Sequence, residues 1–206
     1  MSTAPAEQPH SEWPLIDLAN RLMEQYPGHR VEIIGGQVLV SPPADRAHAR
    51  ALTGLMLPFL NAGLHGEDAD VLQAIGIWLP DGHEDYAIPD LSVVDADLED
   101  HCIENNCYDP VGFRLVLEVT SSNYQTDLRT KVTAYGNAKV PVYVIVDRRH
   151  NRLHVLTDPV ADGYETHRVH APGELVTLPE SIGAKVTLDV AEILASAAHK
   201  PEAGAE

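Results

Sequence analysis

The chain has 206 residues, 44% of them apolar, with 31 acidic against 14 basic side chains and a formal net charge of −17. That length and apolar share suffice for one packed domain and force no second, and no apolar run approaches the roughly 18 residues of a membrane span. The acidity is regional, since residues 51–113 hold 13 acidic side chains and no Lys or Arg; this balance excludes an ordinary basic, non-specific polyanion binder, whose phosphate affinity comes from Lys and Arg.

Residues 1–11 and 198–206 are small, polar and Pro-containing and read as disordered tails, leaving a domain over 12–197. The start, MSTAPAEQPHSEW, has neither a basic n-region nor an apolar h-region, so a cytoplasmic protein is expected. Leu15, Leu18, Ala19, Leu22 and Met23 repeat with helical spacing up to a Pro27-Gly28 stop. HRVEIIGGQVLVSPP then predicts a hairpin turning at Gly35-Gly36. From Asp45, a candidate cap, a second helix runs to about residue 61, weakened by Gly54 and Pro58.

Residues 69–79 and 86–95 read as strands separated by the turn-rich PDGHED. Cys102 and Cys107 follow in an acidic loop. Their spacing supports a zinc half-site with His83 and His101 poorly, and free thiols are expected. FRLVLEVTSS, from Phe113, is the most convincing strand, with Phe113, Leu115, Leu117 and Val119 all apolar. A helix over 124–138, a doubly buried strand over 140–147, strands RLHVLTD and GYETHRVH, and a short helix after Thr187 or Asp189 complete the series. Strands flanked by helices on a mixed sheet give an α/β or α+β class.

Two charges sit where an apolar residue is cheaper. Glu118 lies within the strongest strand, sharing a face with Arg114, Val116 and Thr120. On the helix that follows, Tyr124, Leu128, Val132 and Tyr135 form the apolar arc, with Lys131 inside its margin and Asp127 beyond. A buried charge must be paired, neutralised or bound to a metal, so Glu118 and Lys131 are assigned to one site. Asp90, after Pro89 and in line with Ile88, Ser92 and Val94, supplies a second carboxylate from the preceding strand. Two carboxylates on neighbouring strands suit Mg²⁺, or Mn²⁺ in its place, which takes its other ligands from water and phosphate. Lys131 would then orient a water or offset charge on a phosphodiester transition state.

Pro89-Asp90, LVLEV with Glu118, and SSNYQTDLRTKVTAYGNAKVPVYVIVD resemble the Uma-type restriction endonucleases, a branch of the PD-(D/E)XK nuclease superfamily, over roughly residues 14–195. The resemblance implies a restriction-endonuclease-like core, a central mixed sheet flanked by helices with an N-terminal helix and hairpin, and metal-dependent cleavage of DNA at Asp90 and Glu118. The usual pattern places Lys two residues after the Glu, where this chain has Thr120. In this branch the next helix supplies the amine, here Lys131, with Asp127 and Tyr135 as supporting groups, Glu32 facing the metal and His48 contacting substrate. Two cuts in a duplex would favour a homodimer. RNA is the other substrate that the same site would serve.

Each assignment has a plainer counterpart. Glu118 and Lys131 also suit a structural ion pair, Asp127 and Lys131 a surface i, i+4 pair, and Glu32 a solvent-facing strand position. His48 suits a helix end, and Arg148, Arg149 and Arg152 a solvated hairpin rather than a phosphate contact. The rival to a nuclease is a catalytically silent binding or assembly protein of the same fold, which engages a protein partner through the acidic stretch 51–113.

Overall fold

The computed structural model describes residues 14–120 and 125–197, so the expected tails, residues 12 and 13, and Tyr124 lie outside the described residues. Helix α1 (Leu15–Gln25) is followed by the hairpin β1 (Arg30–Ile34) and β2 (Gln37–Ser41), then by α2 (Arg46–Asn61). Only part of the α1 stripe is covered: Ala19 is buried, whereas Leu18 and Met23, expected on the same face, are exposed. Gly35 and Gly36 take φ of 60° and 68°, the left-handed pair that a tight hairpin turn requires. Asp85 holds that turn by accepting from both glycine N–H groups, at 2.6 Å and 3.2 Å. Asp45 caps α2 through the His48 N–H at 2.7 Å.

The strands expected over 69–79 and 86–95 are each broken in two. The first becomes β3 (Ala69–Leu72) and β4 (Gly76–Trp78), divided at Ala74 with φ 54°; the second becomes β5 (Tyr86–Ala87) and β6 (Leu91–Asp95), divided around Pro89. Proline has no N–H for a ladder, so pairing stops there. The breaks deliver β3 and β6 to one sheet and β4 and β5 to another. Asp90 therefore stands in the connection between two sheets rather than within a strand. The acidic loop adds two short strands that were not expected, β7 (Cys102–Glu104) and β8 (Cys107–Tyr108). Both cysteines are free thiols, and among the described residues no group of three or more His, Cys, Asp or Glu is gathered into a metal cage.

The rest of the chain forms β9 (Phe113–Val119), α3 (Lys131–Asn137), β10 (Val142–Asp147), β11 (Arg152–Val160), β12 (Gly163–His170), β13 (Leu175–Thr177), β14 (Thr187–Asp189) and α4 (Val190–Ala197). The main sheet has the order β12-β11-β10-β9-β6-β3. It is mixed, because β9 and β10 run parallel while their other neighbours are antiparallel. A second six-stranded sheet, β2-β1-β5-β4-β8-β7, carries the N-terminal hairpin. This is the α+β architecture expected from the sequence.

Both faces of the main sheet are apolar, as a doubly covered sheet requires. Leu115, Leu117 and Val119 of β9, with Val142, Val144 and Val146 of β10, pack with Leu55 and Phe59 of α2 and Ile193 and Leu194 of α4. Val116, Tyr143 and Ile145 face the other way, into a cluster with Ala134 and Tyr135 of α3 and Ile77 and Ala87 of the second sheet. Phe113 belongs to this second cluster, against the expected alternation. A bulge explains it, since one step from Val93 to Val94 is matched by two residues from Leu115 to Phe113. Arg114, at the bulge, turns out to Asp95 at 2.6 Å instead of sharing the face of Glu118.

The helix expected over 124–138 begins differently from expectation. Residues Thr126–Thr130 form one π-helical turn, and α3 follows it. The wider turn shifts the phase of the helix, so the buried side is Asp127, Lys131, Ala134 and Tyr135, while Leu128 and Val132 are only partly covered. Lys131 lies within the inward face, as its place inside the stripe's margin requires, and Asp127, expected beyond the stripe, is buried with it. The approach of α3 to the sheet depends on Gly136, where a Cβ would collide with the Gly163 carbonyl oxygen at the start of β12. Gly136→Ala should therefore destabilise the protein by about 1–3 kcal/mol, read as a lower urea midpoint at unchanged m-value.

Candidate active site

Five elements meet around one group of buried charges. β1 contributes Arg30 and Glu32, whose side chains share a face because they are two residues apart in a strand. The N-terminal turn of α2 contributes His48, the β5–β6 connection Asp90, β9 Glu118, and the π-turn with α3 contributes Asp127, Lys131 and Tyr135. Glu118 reaches this side because it lies with Val116 on the face of β9 that α3 covers, opposite Ile145 of β10.

Lys131 is the hub, with an exposure of 2%. Its Nζ donates to Glu118 Oε1 at 2.7 Å and lies 3.0 Å from Glu32 Oε1 and 3.8 Å from Asp127 Oδ1. Tyr135 donates its hydroxyl to the same Glu118 oxygen at 3.0 Å. Glu32 also accepts the Ile88 N–H at 2.8 Å, which ties β1 to the segment that carries Asp90. Asp90 is held on both oxygens: Oδ1 meets Arg30 Nη1 at 2.7 Å and His48 Nε2 at 3.2 Å, and Oδ2 accepts the Val119 N–H at 2.8 Å. Asp90 is thus bonded to the residue that follows Glu118, so the two carboxylates are joined by one residue of backbone.

The electrostatics follow from burial and composition. Glu32, Asp90, Glu118 and Asp127 are all buried, against the cations Arg30 and Lys131; setting His48 aside, full ionisation leaves two negative charges in excess. Burial pushes Glu118 up to about 8, against the pull of Lys131, and pushes Asp127 up to about 6. Asp90 goes the other way: burial opposes ionisation, but the His48 hydrogen bond and the Arg30 charge hold it below the usual carboxylate range. Lys131 keeps its proton, since Glu118, Glu32 and Asp127 outweigh the desolvation that burial imposes. The cluster holds more acid groups than its own cations neutralise.

This donor set fits a hard divalent cation. It offers oxygen ligands and an excess of two negative charges, and Glu118 Oε2 makes no hydrogen bond among the described residues. The lack of a closed protein cage is compatible with Mg²⁺, which binds through one or two carboxylates and keeps water and phosphate oxygens as its other ligands. Of the carboxylates that could take part, Asp90 has both oxygens engaged by protein donors and Glu118 one.

Arg30, His48 and Asp90 of the cluster border a cleft of about 760 Å³, which Asp45, Thr120, Arg148 and Arg149 also line. Glu32, Glu118, Asp127 and Lys131 line a separate pocket of only about 20 Å³, and Arg30 and Ser41 border both. All seven residues singled out in the sequence fall in this region. His48 and Glu32, which also suited exposed positions, are buried. Arg30 was missed, although its position two residues before Glu32 in a β-rich run was the available signal. Tyr143 was missed as well; its hydroxyl donates to the Asp127 carbonyl at 2.9 Å and pins the π-turn.

Residues 17–191 match the family model Uma2, described as "Putative restriction endonuclease". Among solved structures, one described as "a putative nuclease belonging to DUF820", from Anabaena variabilis ATCC 29413, superposes with a TM-score of 0.63 at 14% identity, covering 82% of this chain and 91% of that one. At that identity the likeness concerns the fold. No curated protein matches the chain.

The raised carboxyls make stability depend on pH in a definite direction. A carboxyl that binds its proton more tightly folded than unfolded stabilises the fold at low pH, and this contribution is lost as pH rises through the folded value. For Glu118 the window runs from its ordinary 4.5 up to about 8, with Asp127 adding to the fall up to about 6. In EDTA the melting temperature should therefore decline between about pH 5 and 8, and Glu118→Gln should flatten the upper part of that decline. A melting temperature that climbs across this interval would contradict burial as the controlling cause.

Proposed function

The chain belongs to the Uma2 family of restriction endonuclease-like proteins, and from that premise we propose that it is a divalent-metal-dependent endonuclease that hydrolyses DNA phosphodiester bonds. The observation that supports this reading is the buried contact of Lys131 with Glu118, one residue along β9 from the backbone N–H that holds Asp90, with Asp90 bordering an open, arginine-lined cleft. A purely structural ion pair needs one carboxylate per ammonium and no access from solvent; this cluster has surplus carboxylates, and Asp90 among them borders an open cleft.

When bound, Mg²⁺ supplies Lewis acidity at the scissile phosphate and acidity to water. The protein groups set the stage for it. The Val119 N–H, His48 and Arg30 fix the orientation of the Asp90 carboxylate. Lys131 and Tyr135 take Oε1 of Glu118 and so leave its second oxygen for the cation. Asp127 and Glu32 share the Lys131 charge and keep the ammonium from folding fully onto Glu118. Lys131 orients the attacking water and offsets charge at the transition state from within a site that excludes bulk solvent, where such a charge acts most strongly. Arg30, at the border of both openings, is placed to meet the phosphate as it enters.

The test is incubation of purified protein with plasmid and single-stranded DNA in Mg²⁺, Mn²⁺ or EDTA. Cleavage should require the cation, and Asp90→Asn or Glu118→Gln should abolish it with an unchanged circular dichroism spectrum. Tyr135→Phe removes only the hydroxyl on Glu118 and should lower the rate about 10- to 100-fold. Full cleavage by both carboxylate variants would remove the assignment.

A further inference from the structure

We propose that the turn between β10 and β11 is a backbone clamp for the DNA substrate, in which Arg148 and Arg149 bind phosphates flanking the one held at Asp90; this rests on the nuclease reading of the same cleft. The sequence favours a solvated hairpin over a phosphate contact at these residues. The structure gives the turn a built support and a direction.

The support comes from two buried side chains. Thr120 Oγ1 accepts the Arg148 N–H at 3.0 Å and donates to the Val146 carbonyl at 3.3 Å. Asp147, with an exposure of 1%, accepts the N–H groups of Arg149 and His150, both at 3.0 Å, and its second oxygen meets His150 Nδ1 at 2.6 Å. Three consecutive backbone donors are thus held by side chains. A buried carboxylate committed to a turn costs desolvation that a merely solvated loop does not require. Thr120 occupies the position where the usual pattern has its Lys, two residues after Glu118. With the amine supplied by Lys131, that position instead joins the strand of Glu118 to the arginine turn.

The direction comes from the cleft. Arg148 and Arg149 line it together with Arg30, His48 and Asp90. Three of the 14 Lys and Arg side chains of a chain with net charge −17 therefore face one cavity, whose acidic lining among the described residues is Asp45 and Asp90. Arg148 Nη2 lies 3.8 Å from Asp45 Oδ2, a contact long enough for a phosphate to replace. Guanidinium groups suit this task because their planar donors match phosphate oxygens. Steering a polyanion to an acidic protein requires such a local concentration of positive charge.

The experiment is fluorescence anisotropy of a labelled DNA duplex in EDTA, from ~50 to ~200 mM salt, with metal-dependent plasmid cleavage measured on the same proteins. Arg148→Gln combined with Arg149→Gln should weaken binding and reduce the slope of log K against log salt by about 2, whereas Arg168→Gln with Lys185→Gln, outside the cleft, should leave the slope unchanged. Thr120→Val should also flatten the slope and Thr120→Ser should retain it, a distinction that a loss of stability alone does not produce. An unaltered slope in the arginine pair, equal flattening in the control pair, or no duplex binding by the wild-type protein overturns the clamp. Cleavage by wild type with an unaltered slope rejects the clamp and keeps the nuclease; arginine-dependent binding without cleavage rejects the nuclease and keeps the clamp.

Discussion

The contact between Lys131 and Glu118 is the constraint around which the rest of the structure is arranged. Each group alone would be prohibitively costly to bury, and the pair at 2.7 Å is tolerable only because Tyr135 adds a hydrogen bond to Glu118 and the carboxylates of Glu32 and Asp127 lie within 4 Å of the ammonium. Meeting that condition demands that a hairpin from one sheet, a strand from the centre of another and a helix come to the same point. The break at Pro89 serves this, because it carries the chain from the second sheet to the main one and leaves Asp90 at the junction. The π-turn serves it too, by bringing Asp127 and Lys131 round to the inward side before α3 begins. Irregular turns of this kind are frequent at functional sites, where a side chain must be aimed rather than merely packed.

The distribution of charge resolves an apparent contradiction between an acidic chain and an anionic substrate. The acidic stretch 51–113 contains Asp90 and Asp85, which face inward and hold the site and the hairpin turn. The cleft itself is bordered by Arg30, Arg148 and Arg149. Overall charge describes long-range repulsion, whereas the lining of a low-dielectric cleft sets the local potential. A nuclease of this composition is expected to bind a single backbone segment closely rather than to coat DNA, and its association should be sensitive to salt.

Much of this was visible before any coordinates. The strand around Glu118 announced itself through its apolar run, the hairpin through Gly35-Gly36, and the inward Lys131 through the helical repeat. Asp90 and Glu118 could be named as partners because charged residues in apolar contexts are expensive and therefore informative. Other features left no such mark. Arg30 resembles any strand-edge arginine until Asp90, 60 positions away, is brought to 2.7 Å. The splitting of residues 69–79 and 86–95 depends on which of two sheets each half joins, and an apolar run reads the same in either. Phe113 was placed on the wrong face because a bulge inserts a residue without altering the local pattern.

The sequence by itself determined the class of fold, most of the longer elements and which charges stand in apolar contexts, because hydrophobic periodicity and misplaced charges are properties of neighbouring residues. Tertiary structure alone decided which charges touch, that four carboxylates share two cations, and that Thr120 and Asp147 hold an arginine turn at the mouth of the cleft. Those facts are distances between segments far apart in the chain. Nothing in local pattern encodes them; they arise when burial of two apolar faces forces the segments together and the polar groups at the seam must find partners.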